Sequence, residues 1–206
     1  MLTIWGRGNS VNVKKVLWCA EELALSYEHI NAGGTHGIVN DAAFLEMNPN
    51  GLVPCIEDDG FILWESNAIV RYLAGKHSQS SLTPADARGW ASADRWMDWT
   101  SLSFAAPFRD VFLNLVRLPP EKRDHAAVAK GIEQCNRLTG IADAALEDRP
   151  YLSGDQFGIG DIPLGCITYA WFGLPIERTP RPHLSAWYDR LTARAGYQKA
   201  VMTALT

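Results

Sequence analysis

Apolar positions change period along the chain, and the changes divide it. Leu2 to Trp5 is a short β-like run, "GRGNS" interrupts it, and Val13, Val16, Leu17, Ala20 and Leu23 follow at helical spacing. "SYEHI" returns as a second short strand, after which the loop "NAGGTHGIVND" leads into a short helical piece, "AAFLEMN". Beyond Pro54, "CIED" and "FILW" read as strands joined by Asp58-Asp59-Gly60, a composition suited to a hairpin. Ser66 then opens the helix "NAIVRYLAG", with Gly75 expected to close it. The predicted order is β-α-β-α-β-β-α. A βαβ crossover requires parallel strands and the hairpin antiparallel ones, so the sheet is mixed, with helices over its faces.

After Lys76 the pattern becomes helical. "HSQSSLTPAD" is polar, contains a proline and suits a linker. Trp90, Ala93, Met97 and Ser101 share a helical face, and Phe104, Phe108, Val111, Phe112 and Leu115 continue the apolar pattern past Pro107, where a kink or break is expected. Val128, Ile132, Cys135, Leu138 and Ala142 mark another helix, "FGIGD" precedes a buried one, and "HLSAWYDRLTARAG" is amphipathic. The predicted division is a mixed α/β domain over 1–77, a linker over 78–86 and an all-helical domain over 87–206.

Composition narrows the function classes. At 206 residues and 47% hydrophobic, the chain can build real cores, and its net charge of −4 offers no extended basic surface for nucleic acid or anionic membranes. No apolar run approaches the roughly 18 residues of a membrane span, and the start of the chain does not read as a signal peptide. Cys19, Cys55, Cys135 and Cys166 lie among apolar neighbours without zinc-site spacing, which predicts buried free thiols in a cytoplasmic protein without a metal.

Taken together, Val53-Pro54 before the third strand, Glu65-Ser66 before the third helix, "FGIGD" and the order of the two domains resemble the cytosolic glutathione transferase superfamily, whose first domain is thioredoxin-like. The resemblance covers essentially the whole chain. It implies glutathione as co-substrate, detoxifying conjugation to a small apolar electrophile, and a homodimer. Two other activities occur on this framework: glutathione-dependent reduction of disulfides or peroxides, and non-catalytic binding.

The resemblance also assigns residues. The backbone around Pro54, following a cis peptide, faces the cysteinyl part of glutathione. Ser66, at a helix N-terminus, holds the γ-glutamyl carboxylate, and Glu65 accepts from the γ-glutamyl ammonium. The thiol needs help to ionise, because its ordinary pKa is about 8.5. Ser10 matches the serine of the theta and zeta classes, with Asn12 and Asn9 as competing donors. Leu52 replaces a residue that is often basic or polar, leaving His36 or Lys15 to meet the peptide's other carboxylate. The electrophile is expected between the first domain and the long helix bearing Trp99, Phe104, Phe108 and Arg109, with Trp5 and Phe172 as further candidates. Gly158 and Asp161 read as folding elements.

Overall fold

The structure, a computed structural model, describes residues 1–77 and 82–206. Part of the expected linker, residues 78–81, lies outside the described residues. The chain forms two compact units, Met1–Thr83 with Ala195–Thr203, and Pro84–Arg194 with Ala204–Thr206.

The first unit follows the predicted order: β1 (Leu2–Trp5), α1 (Val11–Glu22), β2 (Tyr27–Ile30), α2 (Ala42–Met47), β3 (Cys55–Asp58), β4 (Phe61–Trp64) and α3 (Ser66–Lys76). Its sheet runs β2-β1-β3-β4. The α1 crossover makes β1 and β2 parallel, with Ile4 opposite His29, whereas β3 pairs antiparallel with both β1 and β4. Asp59 and Gly60 both take positive φ, 51° and 87°, which suits the twist of a two-residue hairpin. Ile4 and Ile56 of the sheet are buried, as are Val13, Val16, Ile69, Val70 and Leu73 of the two helices that pack against each other. At Gly6 a Cβ would overlap Val13, so close passage of the strand end over α1 requires glycine.

Gly75 does not end α3. The helix continues to Lys76 and His77 caps it, with Lys76 Nζ held 2.6 Å from Asp58 Oδ2 on β3. That long-range pairing overrides the local stop signal.

In the second unit, α4 (Ala87–Trp99), α5 (Ala105–Phe112), α6 (His125–Ala145), α7 (Ile162–Gly173) and α8 (Pro182–Thr192) form the helical set. The expected break at Pro107 is absent: α5 runs through it. The chain instead widens into a π-turn at Thr100–Phe104, just before the residues where the proline ring and its missing N–H would disrupt an α-helical ladder. Thr100 Oγ1 donates to the Trp96 carbonyl at 2.8 Å, supplying a side-chain donor where the register changes. A second π-turn, Leu113–Arg117, follows α5.

Helix α7 is apolar on every side and buried, apart from its C-terminal end and Tyr169. Ahead of it, Asp161 is fully buried and accepts from Leu152 N–H (2.7 Å), Ser153 N–H (3.2 Å), Gly158 N–H (3.1 Å) and Trp187 Nε1–H (2.8 Å). One buried carboxylate therefore ties the turn before α7 to the Tyr151–Gly154 turn and to Trp187 of α8.

The last helix, α9 (Ala195–Ala200), belongs to the first unit and not to the helical set over 87–206. It packs on α1, where Trp18 and Tyr197 meet edge-to-face at 4.7 Å and Lys14 Nζ donates to the Val201 carbonyl at 2.8 Å.

Candidate functional site

The loop before β3 is pinned by one amide. Buried Asn48 accepts at Oδ1 from Asn50 N–H (3.1 Å) and Asn50 Nδ2 (2.9 Å), while its Nδ2 donates to the Leu52 carbonyl at 2.8 Å. Gly51 takes φ 60°, and the Val53–Pro54 peptide is cis. Leu52 is exposed, Val53 half-buried and Pro54 buried.

Facing this loop is the start of α3. Glu65 stands at φ 72° and its carbonyl accepts from Ile69 N–H at 2.9 Å, so Glu65 is the capping residue and Ser66 the first residue of the helix. That frees Ser66 from capping its own helix. Its buried hydroxyl donates to Asn12 Oδ1 at 3.4 Å and receives Lys15 Nζ at 3.4 Å. Lys15 also reaches Asn67 Oδ1 at 3.4 Å, which places a buried ammonium behind the N-terminal end of α3.

A cleft is lined by Asn12 of α1, by Asn48, Asn50, Leu52, Val53 and Pro54, and by Trp64, Glu65 and Ser66. It therefore unites six of the residues singled out in the sequence: Asn12, Leu52, Val53, Pro54, Glu65 and Ser66. Asn48, Asn50 and Trp64 were not anticipated. For the asparagines the signal was the "NPNG" turn composition, in which a side-chain amide organises the backbone two residues on. Trp64 carried no comparable signal, since the alternation of a short edge strand does not distinguish a cleft-facing ring from a packed one.

Ser10, Asn9 and His36 are not among the lining residues. Ser10 heads α1 with extended backbone (φ −81°, ψ 124°), its N–H donates to the Arg7 carbonyl at 3.0 Å, and its side chain makes no capping hydrogen bond. Asn9 is half-buried beside it. His36 is exposed at the end of a 3-10 turn, Gly34–His36.

The aromatic candidates divide by environment. Trp5 is half-buried at the end of β1, opposite Ile30 and Cys55. In the second unit, Trp99 lies 5.3 Å from Trp96 and 5.9 Å from Phe104, centroid to centroid. Phe104 and Phe108 are buried, each against Trp171 at 6.4 and 6.5 Å, which makes them core side chains of that unit. Phe172 lies outside this cluster and pairs with Tyr188 at 4.4 Å. Arg109 is exposed.

All four cysteines are buried and free. Burial pushes the Cys55 thiol, next to the cis proline, up to about 11, and raises Cys19 further. The chain's own sulfur beside the cleft is thus a poor nucleophile at neutral pH. Among the described residues no group of His, Cys, Asp and Glu is arranged to hold a metal ion, and no helix is long and apolar enough to cross a membrane.

Family profiles match the two halves of the chain: "Glutathione S-transferase, N-terminal domain" over residues 1–75 and "Glutathione S-transferase, C-terminal domain" over 96–195. The glutathione S-transferase GstB of Escherichia coli K12 is 48% identical over 204 residues, covering 98% of each chain. Glutathione S-transferase 3 of Zea mays is 34% identical over 209 residues, covering 97% of this chain and 93% of its own. Among solved structures, the theta class glutathione S-transferase of Xanthomonas axonopodis pv. citri with glutathione bound superposes with a TM-score of 0.96 at 53% identity, covering 100% of this chain and 99% of that one.

Proposed function

Because the chain belongs to the glutathione S-transferase family, we propose that the Asn12–Val53–Ser66 cleft receives glutathione and delivers its sulfur, as thiolate, to a small apolar electrophile. The protein is a glutathione transferase. The observation that carries the site assignment is the meeting of three elements at one cleft: the cis-proline loop, the first turn of α3 and the start of α1.

Each element has a chemical task. The backbone N–H and C=O of Val53 pair with the cysteinyl unit as a short antiparallel strand would. At the first turn of α3, the unsatisfied N–H groups, the Ser66 hydroxyl and the Lys15 ammonium behind it favour the γ-glutamyl carboxylate. Exposed Glu65 accepts from the γ-glutamyl ammonium. Ser10, whose hydroxyl is not used in a cap, donates to the sulfur, with Asn12 as the competing donor.

Stabilising the thiolate lets the thiol proton leave to solvent before attack. The sulfur lone pair then forms the new S–C bond. At an activated halide the leaving group departs with its bonding pair; at a conjugated acceptor, water protonates the resulting carbanion.

We also propose a cytoplasmic homodimer. Leu45, Phe61, Ile62 and Trp64 expose apolar surface on the first unit, the last three on edge strand β4, and Leu102 does so on the second; exposed apolar surface of this kind favours association. Four buried free thiols fit a reducing compartment.

The test of the site is titration calorimetry with glutathione, followed by parallel assays against an aryl halide, a hydroperoxide and a mixed disulfide. Uptake with turnover of the aryl halide is the expected result. Turnover of only the hydroperoxide or disulfide would reassign the electrophile class, and no uptake would overturn the cleft.

A further inference from the structure

The turn joining β1 to α1 carries a cation that the cleft description does not use. Arg7 is half-buried, and its carbonyl accepts from Ser10 N–H at 3.0 Å, so it belongs to the same tight turn as the candidate thiol donor. Its side chain lies along Gly33 and Gly34: a Cβ at Gly33 would stand 3.4 Å from Arg7 Nη1, and one at Gly34 3.3 Å from Cδ and 3.5 Å from Nε. Both glycines have positive φ, 80° and 62°, and a Cβ at either would only just reach the Arg7 side chain, so the guanidinium lies close over their backbone.

Val53 touches the same place. Its Cγ2 would lie 3.4 Å from that Gly33 Cβ, so the Arg7 guanidinium and the Val53 side chain flank one backbone position. No carboxylate of the described residues pairs with Arg7. A half-buried guanidinium without a counter-charge bears a desolvation cost that an incoming anion would relieve. Glutathione brings three anionic groups. The γ-glutamyl carboxylate is directed to Ser66, and the group held at Val53 is the cysteinyl unit.

We propose that Arg7 is a catalytic residue whose guanidinium contacts the glutathione sulfur and holds it as thiolate, an assignment that rests on the cysteinyl unit pairing with Val53. Arginine suits the task because it stays charged at any working pH and donates several N–H groups from a planar head. The proton it displaces from sulfur passes to solvent. Other titratable groups stand around the turn and the cleft: His29 Nε2 donates to the Gly6 carbonyl at 2.7 Å, His36 ends the turn after Gly33, and Lys15 and Glu65 flank the far end of the cleft.

The experiment compares the parent with Arg7→Met and Arg7→Lys by ultraviolet titration of bound thiolate. It adds steady-state kinetics with glutathione and with glutathione amidated at its glycyl carboxylate. Methionine keeps the packing volume over the glycines and removes the charge. Arg7→Met is expected to raise the bound thiol pKa by at least about one unit, to lower kcat about tenfold at neutral pH with recovery at high pH, and to leave KM for glutathione nearly unchanged. Arg7→Lys should restore much of the lost ionisation. An unmoved titration with a raised KM, reproduced in the parent by the amidated peptide, would reassign the charge to the glycyl carboxylate and overturn the proposal. No change in titration, kcat or KM would leave Arg7 as packing alone, and equally overturn it. These outcomes differ from failure of the cleft itself, in which the parent takes up no glutathione.

Discussion

Lys15 Nζ lies 3.4 Å from Ser66 Oγ, so a buried ammonium from α1 stands behind the hydroxyl that begins α3. The two residues are far apart in sequence. Together with the first-turn N–H groups they set positive charge behind one end of the cleft, next to the exposed carboxylate of Glu65.

Ser66→Ala removes the hydroxyl from that arrangement. Glutathione binding should weaken by roughly 1 to 3 kcal/mol, the range for leaving a charged partner without its hydrogen bond. Titration calorimetry measures it, and an unchanged affinity would mean that the γ-glutamyl carboxylate sits elsewhere.

Ser10→Ala separates thiol activation from peptide binding. With Ser10 as donor, affinity stays near that of the parent while neutral-pH turnover falls and recovers at higher pH. If Ser10 only heads the helix, where its side chain makes no capping hydrogen bond, the variant keeps both its stability and its pH profile. Asn12→Ala and Asn9→Ala serve as controls, and a shift confined to one of them transfers the role to that amide.

Asp58 supplies a pH dependence whose sign follows from its partners. Burial pushes its carboxyl up, but hydrogen bonds from Lys76 (2.6 Å) and Tyr72 (2.8 Å) outweigh burial and hold it below the usual carboxylate value. A depressed folded-state value means stability that is present above the unfolded pKa, about 3.9, and lost as pH falls through the folded one. Urea unfolding across that acidic window should show a steeper loss in the parent than in Asp58→Asn. Parallel curves would rule out the linkage.

Gly131→Ala tests the close crossing that accommodates Pro107. A Cβ at Gly131 would stand 2.7 Å from the Pro107 carbonyl oxygen and 2.7 Å from Val111 Cγ2. Overpacking there should cost about 1 to 3 kcal/mol, against a gain of about 1 kcal/mol in helix propensity. The net expectation is a lower thermal midpoint; a higher one would show that α5 and α6 part freely.

For the homodimer, light scattering at micromolar concentration should return twice the chain mass. Phe61→Asp with Ile62→Lys should shift the protein toward monomer, since both place charge on the exposed apolar edge strand. A monomeric parent would remove the assembly from the account.

Elements that depend on local physics were legible along the chain. Alternation and helical spacing marked the strands and helices, Asp59-Gly60 marked the hairpin, and the spacing of Val53-Pro54 and Glu65-Ser66 pointed to the family. What depends on partners distant in sequence emerged only on packing. Gly75 stayed helical because the chain beyond it is anchored to β3, and Pro107 was absorbed by a π-turn within the long helix. Phe104 and Phe108 went to the core because Trp171, from another helix, meets them there. Arg7 lies beside Gly33 and Gly34 only because the fold brings the loop after β2 against the turn before α1. Periodicity reports which face of an element is buried, but it cannot report what that face is buried against, and a site is made of those meetings.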